Sequence, residues 1–195
     1  MHPLLYKISF VCIALMSFIT SAQWLNPVAD SYIQFTNKAE LDNWVIINDT
    51  VMGGRSQAAL EIDNNSLVFK GRLSLQNNGG FASTRRIYSP LNWAPQQAIE
   101  IKVKGDGRAY QFRLRTNRRM DGVAYVANFE TVAGESQTFT FQLSEFQAQW
   151  RGRQVVNAAP LSFDDVTQLG FMLADKTPGD FALHIEKIEQ LPPVI

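Results

Sequence analysis

The chain has 195 residues, 46% of them hydrophobic, with 18 basic side chains against 18 acidic ones. That length and apolar content suit one globular domain with a sizeable core, and zero formal net charge excludes the basic footprint of a nucleic-acid binder. One cysteine, Cys12, and two histidines, His2 and His184, exclude a disulfide framework and an ordinary zinc site.

The first residues have the form of an export signal. Lys7 precedes an uncharged apolar run over residues 8–20, and Thr20-Ser21-Ala22 offers small residues for cleavage. A leader over residues 1–22, cleaved after Ala22, leaves one domain over residues 23–195 without Cys12. The expected location is periplasmic or secreted, with no membrane span after cleavage. The alternative is an uncleaved anchor in the inner membrane with the domain outside, although the run is shorter than the ~20 residues of a comfortable span.

Short strand-like runs follow. Residues 32–35 read as a strand and 37–41 as a turn or a single helical turn. Residues 44–47 (WVII) are apolar throughout, which predicts a strand buried on both sides. The next nine residues, from Asn48 to Ser56, put an Asp, two adjacent glycines, an Arg and a Ser into one corner. Residues 58–63 and 66–69 predict a hairpin turning at Asp63-Asn64-Asn65, whose asparagines tolerate left-handed backbone. Residues 72–75 alternate, Asn77-Asn78-Gly79-Gly80 ends them, and 81–87 form another strand. Trp93 sits in a loop bracketed by Pro90 and Pro95.

The clearest period-two signal lies in the middle of the chain. Ile99, Ile101 and Val103 alternate with Glu100, Lys102 and Lys104. Gly105-Asp106-Gly107-Arg108 reads as a hairpin turn. Tyr110, Phe112 and Leu114 then face inward, with Gln111, Arg113 and Arg115 outward on what reads as a solvated face. Residues 125–129, 139–143 and 181–185 repeat the alternation, and 168–174 (QLGFMLA) are apolar on both faces, as in a central strand. Roughly ten short strands without an ordinary amphipathic helix predict an all-β, two-sheet sandwich or jelly roll with a few short helical turns.

The turns that carry Gly, Asp and Arg, at 48–56, 77–81, 105–108 and 150–153, are expected to converge on one region. Asp49 could work with Asp106 as a glycosidase carboxylate pair; the plainer reading ties Asp49 to Arg55 or another arginine as a loop fastener. His184, on the polar face of a strand, has no nucleophile motif around it. Acidic and Asn-rich turns do not match the spacing of a calcium loop. Trp93 and Trp150 are the candidates for stacking on a sugar ring or anchoring a partner. Their plainer reading is a satellite apolar cluster beneath a loop.

Several blocks in order resemble the complex I intermediate-associated protein family, an assembly factor of mitochondrial complex I and its bacterial relatives. They are WVIINDTVMGGRS from Trp44, FKGRLSLQNNGGFAS from Phe69, KGDGRAY from Lys104, WRGR from Trp150, LGFMLADK from Leu169 and GDFALHI from Gly179. Together they cover roughly residues 30–190. The resemblance implies a galactose-binding-like jelly-roll β-sandwich of two antiparallel sheets and a non-enzymatic binding or assembly role, with no catalytic residues, cofactor or metal. The recognition or scaffold cluster that the resemblance implies is Asp49, Gly53, Gly54, Arg55, Asn78, Gly79, Gly80, Asp106, Arg108, Trp150, Arg151 and Arg153. The export-type leader, in place of an Arg-rich transit peptide, departs from the mitochondrial pattern. The expected partner is a protein, such as a membrane or envelope complex, or a glycan. A carbohydrate-binding module is the second reading and a glycan-acting hydrolase the third.

Overall fold

Where polar and apolar residues alternate, a strand turns one set of side chains to each face of its sheet, so the chain can bury one face of two sheets against each other. The structure, a computed structural model, describes residues 32–87, 91–95 and 98–191. The expected leader and the closing Pro192-Pro193 lie outside these residues. Thirteen strands are present in them: β1 (Tyr32–Gln34), β2 (Trp44–Asn48), β3 (Gln57–Asp63), β4 (Ser66–Leu73), β5 (Ala82–Arg86), β6 (Ile99–Lys104), β7 (Ala109–Arg115), β8 (Ala124–Glu130), β9 (Ser136–Phe141), β10 (Gln147–Trp150), β11 (Arg153–Gln154), β12 (Gln168–Leu173) and β13 (Gly179–Gln190). The helical segments are short 3₁₀ turns of three to six residues, and no helix among the described residues is long and apolar enough to cross a membrane.

One sheet runs β3-β4-β13-β6-β9, with β1 also paired to β13; the other runs β11-β10-β8-β7-β12-β5-β2. All strand pairs are antiparallel. Ile99, Ile101 and Val103 of β6 face Phe112, Leu114, Phe171 and Leu173 of the other sheet across a fully buried core. Phe112 sits at its centre, with ring centroids 5.4 Å from Phe171 and 5.5 Å from Phe141. Offset aromatic contacts of this kind add to the burial of each ring.

The expected β3–β4 hairpin is present, with Asp63 paired to Ser66 and Asn64 and Asn65 at φ 47° and 59°. Two positive φ values in a two-residue loop match the twist of the strands they join. The run 168–173 is central, flanked by β7 and β5. Two expectations are corrected. The apolar run 44–47 is not buried on both sides: β2 is the edge of the seven-stranded sheet, with Trp44 in the core and Ile46 exposed. Gly105-Asp106-Gly107-Arg108 is not a hairpin turn either, because β6 belongs to one sheet and β7 to the other.

That second correction locates the glycine-bearing loops. The register pairs Asn48 with Ala82, Ala82 with Leu173, Leu173 with Tyr110 and Tyr110 with Phe129. The segments 49–56, 74–81, 105–108, 131–135 and 174–178 therefore leave the seven-stranded sheet at the same end, and each crosses to the six-stranded one.

Candidate functional site

Asp49 is buried at this crossover end with no exposed surface. Its Oδ1 accepts the Ser56 N–H at 2.9 Å, and its Oδ2 accepts the Ser56 hydroxyl at 2.6 Å and the Gly80 N–H at 2.7 Å. Phe81 N–H adds a longer contact at 3.4 Å. The Ser56 hydroxyl oxygen in turn accepts the Ser74 N–H at 3.0 Å. One carboxylate thus joins the loops 49–56 and 74–81. The glycines are there for closeness: a Cβ on Gly54 would lie 2.4 Å from Asp49 Cγ, and one on Gly79 2.5 Å from Asp49 Oδ2. Gly53, at φ 89°, ends the 3₁₀ turn over Asp49–Met52, and its carbonyl accepts from Asn77 Nδ2 at 3.1 Å. Asn78 has φ 59° and is exposed. Arg55 is exposed, and Asp49 is fastened by Ser56 and backbone amides instead of by arginine, correcting that expected pairing.

Asp106 and Arg108 make a second junction at the same end. Asp106 accepts the Tyr110 hydroxyl at 3.0 Å and the Ala182 N–H at 2.9 Å. Arg108 forks onto Asp175, Nε to Oδ2 at 2.9 Å and Nη2 to Oδ1 at 2.7 Å. Its other donors reach the carbonyls of Thr177 and Asp180. Lys176, beside Asp175, reaches back toward Gly80, so the two junctions adjoin. Burial pushes the Tyr110 hydroxyl up, helped by the nearby Asp106 charge. Both carboxylates that were weighed as a glycosidase pair are therefore committed to internal donors.

Acidification acts on these junctions. Burial pushes the Asp49 carboxyl up, but the Ser56 hydroxyl and the amides of Gly80, Ser56 and Phe81 outweigh it and hold the group below the usual carboxylate range. At Asp175 burial is likewise outweighed by the Arg108 hydrogen bonds and charge. The folded values lie below the unfolded ones, so the unfolded chain takes up protons first. The stability these groups contribute is complete above an unfolded value of about 4 and is lost as pH falls through the folded values. Urea midpoints measured downward from neutral pH are expected to hold steady until about pH 4 and then to fall.

The tryptophans part ways. Trp93 is 5% exposed and packs edge-on against Phe163 at 6.4 Å, so it cannot stack on an external ligand. Trp150 is 45% exposed at the opposite end of the sandwich from Asp49. Arg151 and Gly152, at φ 48° and 75°, form the two-residue turn between Trp150 and Arg153. Trp150 Nε1 donates to Asp121 at 3.0 Å, Arg151 pairs with the same carboxylate at 2.7 Å, and the guanidinium lies 4.9 Å from the indole ring. Three of the four Gly, Asp and Arg turns come together; the Trp150–Arg153 turn does not join them.

A feature read from sequence only as a solvated face is more organised. Arg85 on β5 and Arg113 on β7 both pair with Gly170 on the intervening β12, and Arg115 stands opposite Gln168. Arg85 Nη1 donates to Met120 O at 3.0 Å and Gln168 Oε1 at 3.2 Å, Arg113 Nη1 to Gln111 Oε1 at 2.6 Å, and Arg115 Nη1 to Gly122 O at 2.7 Å. Among the described residues, no carboxylate makes an ion pair with any of the three. Desolvation, then repulsion from Arg115 and Arg113, brings Arg85 down to about 10; desolvation and Arg115 do the same to Arg113. Both stay charged at neutral pH. Arg113 and Arg115 alternate with core residues in the sequence, but their meeting with Arg85 needed the strand order β5-β12-β7.

A family model described as Complex I intermediate-associated protein 30 (CIA30) matches residues 33–185. The Mus musculus protein named Complex I intermediate-associated protein 30, mitochondrial, is 27% identical over 176 residues, which cover 80% of this chain and 54% of that protein. The Drosophila melanogaster protein of the same name is 24% identical over 182 residues, covering 82% and 62%. The chain spans about half the length of the first curated relatives it matches. Among solved structures, a family 11 carbohydrate-binding module of a Clostridium thermocellum cellulase superposes with a TM-score of 0.57 at 16% identity, covering 78% of this chain and 90% of the module. The same family's module in complex with a mixed-linked tetrasaccharide gives 0.55 at 18%, covering 75% and 88%. These two show a shared β-sandwich fold. The curated relatives are named as mitochondrial proteins, which corrects the expectation of a periplasmic or secreted chain, or one anchored with its domain outside. Their names point to the mitochondrion.

Proposed function

Because this chain belongs to the complex I intermediate-associated protein 30 family, we propose that it is a non-enzymatic binding domain that associates with an assembly intermediate of respiratory complex I through a protein–protein contact. The observation that carries this reading is the extent of the family match, residues 33–185, which runs from β1 into β13. The unit shared with the relatives is thus nearly the whole sandwich and not a single motif. Asp49 and Asp106 support the non-enzymatic part, since hydrogen bonds within the fold occupy both carboxylates.

The test is native electrophoresis of cells carrying a tagged chain, with crosslinking and mass spectrometry of what migrates with it. The expected result is co-migration with a complex I subassembly smaller than the finished enzyme, and less finished enzyme when the chain is removed. A chain that migrates only by itself, with complex I unchanged on its removal, overturns the reading.

A further inference from the structure

We propose that the cleft above Gly170, between Arg85 and Arg113 and backed by Arg115, binds a side-chain carboxylate of an acidic segment on the protein partner. This rests on the reading of the chain as a protein-binding domain and says which face does the binding.

The register makes the site. Arg85 and Arg113 leave the outer face on strands either side of β12, about 9.6 Å apart at the backbone for two strand spacings. Gly170 between them supplies no side chain, since a Cβ there would lie 2.1 Å from the Thr84 carbonyl oxygen, and Gln168 of β12 lines the gap beside it. Both arginines are half-buried and Arg115 is 9% exposed. Three partly desolvated cations at close quarters repel one another, and the acid whose field reaches Arg85 and Arg115, Asp121, is already paired with Arg151. An anion brought from outside would relieve that repulsion.

The donors are placed for it. The bonds that Arg85 and Arg113 make to the fold use Nη1. Among the described residues no hydrogen bond engages Nε or Nη2 of either guanidinium, and that edge is the fork that grips a carboxylate with two parallel hydrogen bonds. Hydrogen bonds to Gln168 and Gln111 fix the two side chains before anything binds, and Gln168 is itself held by the carbonyl of Asn117 at 2.8 Å.

Size and surroundings select the occupant. The cleft has a volume of about 20 Å³, room for roughly one water-sized group, which suits the tip of an Asp or Glu. Strands β2, β5, β12, β7 and β8 turn no aromatic ring outward among the described residues, since their rings belong to the inward set. A neutral glycan would lack a stacking platform here. Val45, in register with Arg85 and partly exposed, extends the row on one side with an apolar flank suited to a polypeptide, while Val126, in register with Arg113, is itself covered.

The experiment titrates the purified full chain into fluorescently labelled poly-L-glutamate and follows anisotropy. Binding is expected to be saturable, to weaken as salt is added, and to fall about tenfold in Arg113→Gln and again in Arg85→Gln. Arg113→Lys, which keeps the charge and loses the fork, is expected to recover part of that loss only. Each variant's melting temperature is read alongside, because both side chains leave the sheet on its outer face and the fold should survive. If the wild type does not bind poly-L-glutamate, or binds it no better than both Gln variants, the proposal is overturned. Inorganic phosphate or a mixed-linked β-glucan binding at these arginines in place of the polypeptide also overturns it. The two readings fail separately. An Arg85→Gln/Arg113→Gln chain that co-migrates with a complex I intermediate as the wild type does removes the site and leaves the function. A wild type that binds poly-L-glutamate through both arginines and co-migrates with no intermediate removes the function and leaves the site.

Discussion

Asp49→Ala is expected to lower the unfolding free energy by about 3–5 kcal/mol, among the largest single-residue effects in this fold. The carboxylate receives three hydrogen bonds of 2.9 Å or shorter, two of them from backbone amides that have no other acceptor at hand in the buried corner. Alanine leaves those amides facing a void, while the Ser56 hydroxyl keeps the Ser74 carbonyl as an acceptor at 3.2 Å. Each orphaned donor costs about 1–3 kcal/mol, partly recovered where water enters. Asp49→Asn keeps the volume but turns an NH₂ toward donors, so it is expected to lose a similar amount and to flatten the decline of stability on acidification. Ser56→Ala, which removes the hydroxyl and keeps the amide, is expected to cost about 1–2 kcal/mol. Urea denaturation followed by tryptophan fluorescence measures all three. A loss below about 1 kcal/mol for Asp49→Ala would mean that the corner rearranges around other acceptors.

Arg108→Ala is expected to cost about 3–5 kcal/mol, because it strands its partner as well as removing a donor. The side chains of Arg108 and Asp175 are 12% and 13% exposed, and the guanidinium also serves carbonyls of the 174–180 segment. The hydrogen bonds to Asp175 raise the arginine's pKa as they lower the carboxylate's, so both titrations describe one favourable pair. Arg108→Ala combined with Asp175→Asn is expected to be more stable than the sum of the single losses, with a coupling of about 1–3 kcal/mol in the double-mutant cycle. Additive losses would show that each side chain acts alone.

The sequence made the strands legible wherever one face is buried and the other wet. Ile99, Ile101 and Val103 against Glu100, Lys102 and Lys104 specify both the strand and its orientation, and β6 follows that reading. The periodicity carries no information on which sheet a strand joins. Gly105-Asp106-Gly107 therefore looks the same as a hairpin turn and as a crossover, and only the partners of β6 and β7 decide between them. The run 44–47 misled for a related reason: continuous apolarity signals two covered faces, yet β2 is an edge with Ile46 in the open. The turn from Trp150 to Arg153 is legible in the sequence through Arg151-Gly152, but its flanking strands β10 and β11 are not, because QAQW and RQ lack apolar alternation. Motif order brought Asp49, Gly54, Gly79 and Gly80 into view together, and the geometry explains their spacing through one carboxylate. Arg85 could not be joined to Arg113 from sequence, since 28 positions and the whole of β6 separate them.

The position of β13 bears on how the chain acquires this fold. It is the middle strand of its sheet, with β4 and β1 along one edge and β6 along the other, yet it is the last of the thirteen to leave the ribosome. Until residues 179–190 emerge, β4 and β6 have no common neighbour, and the core face that carries Phe181, Leu183, Ile185 and Ile188 is missing. Contacts spanning more than a hundred residues favour slow folding, on the order of milliseconds to seconds, and the waiting strands present unpaired edges meanwhile. Synthesis that pauses before Gly179 should thus yield a protease-sensitive, aggregation-prone nascent chain, and protection should arrive in one step once β13 can slot between its neighbours.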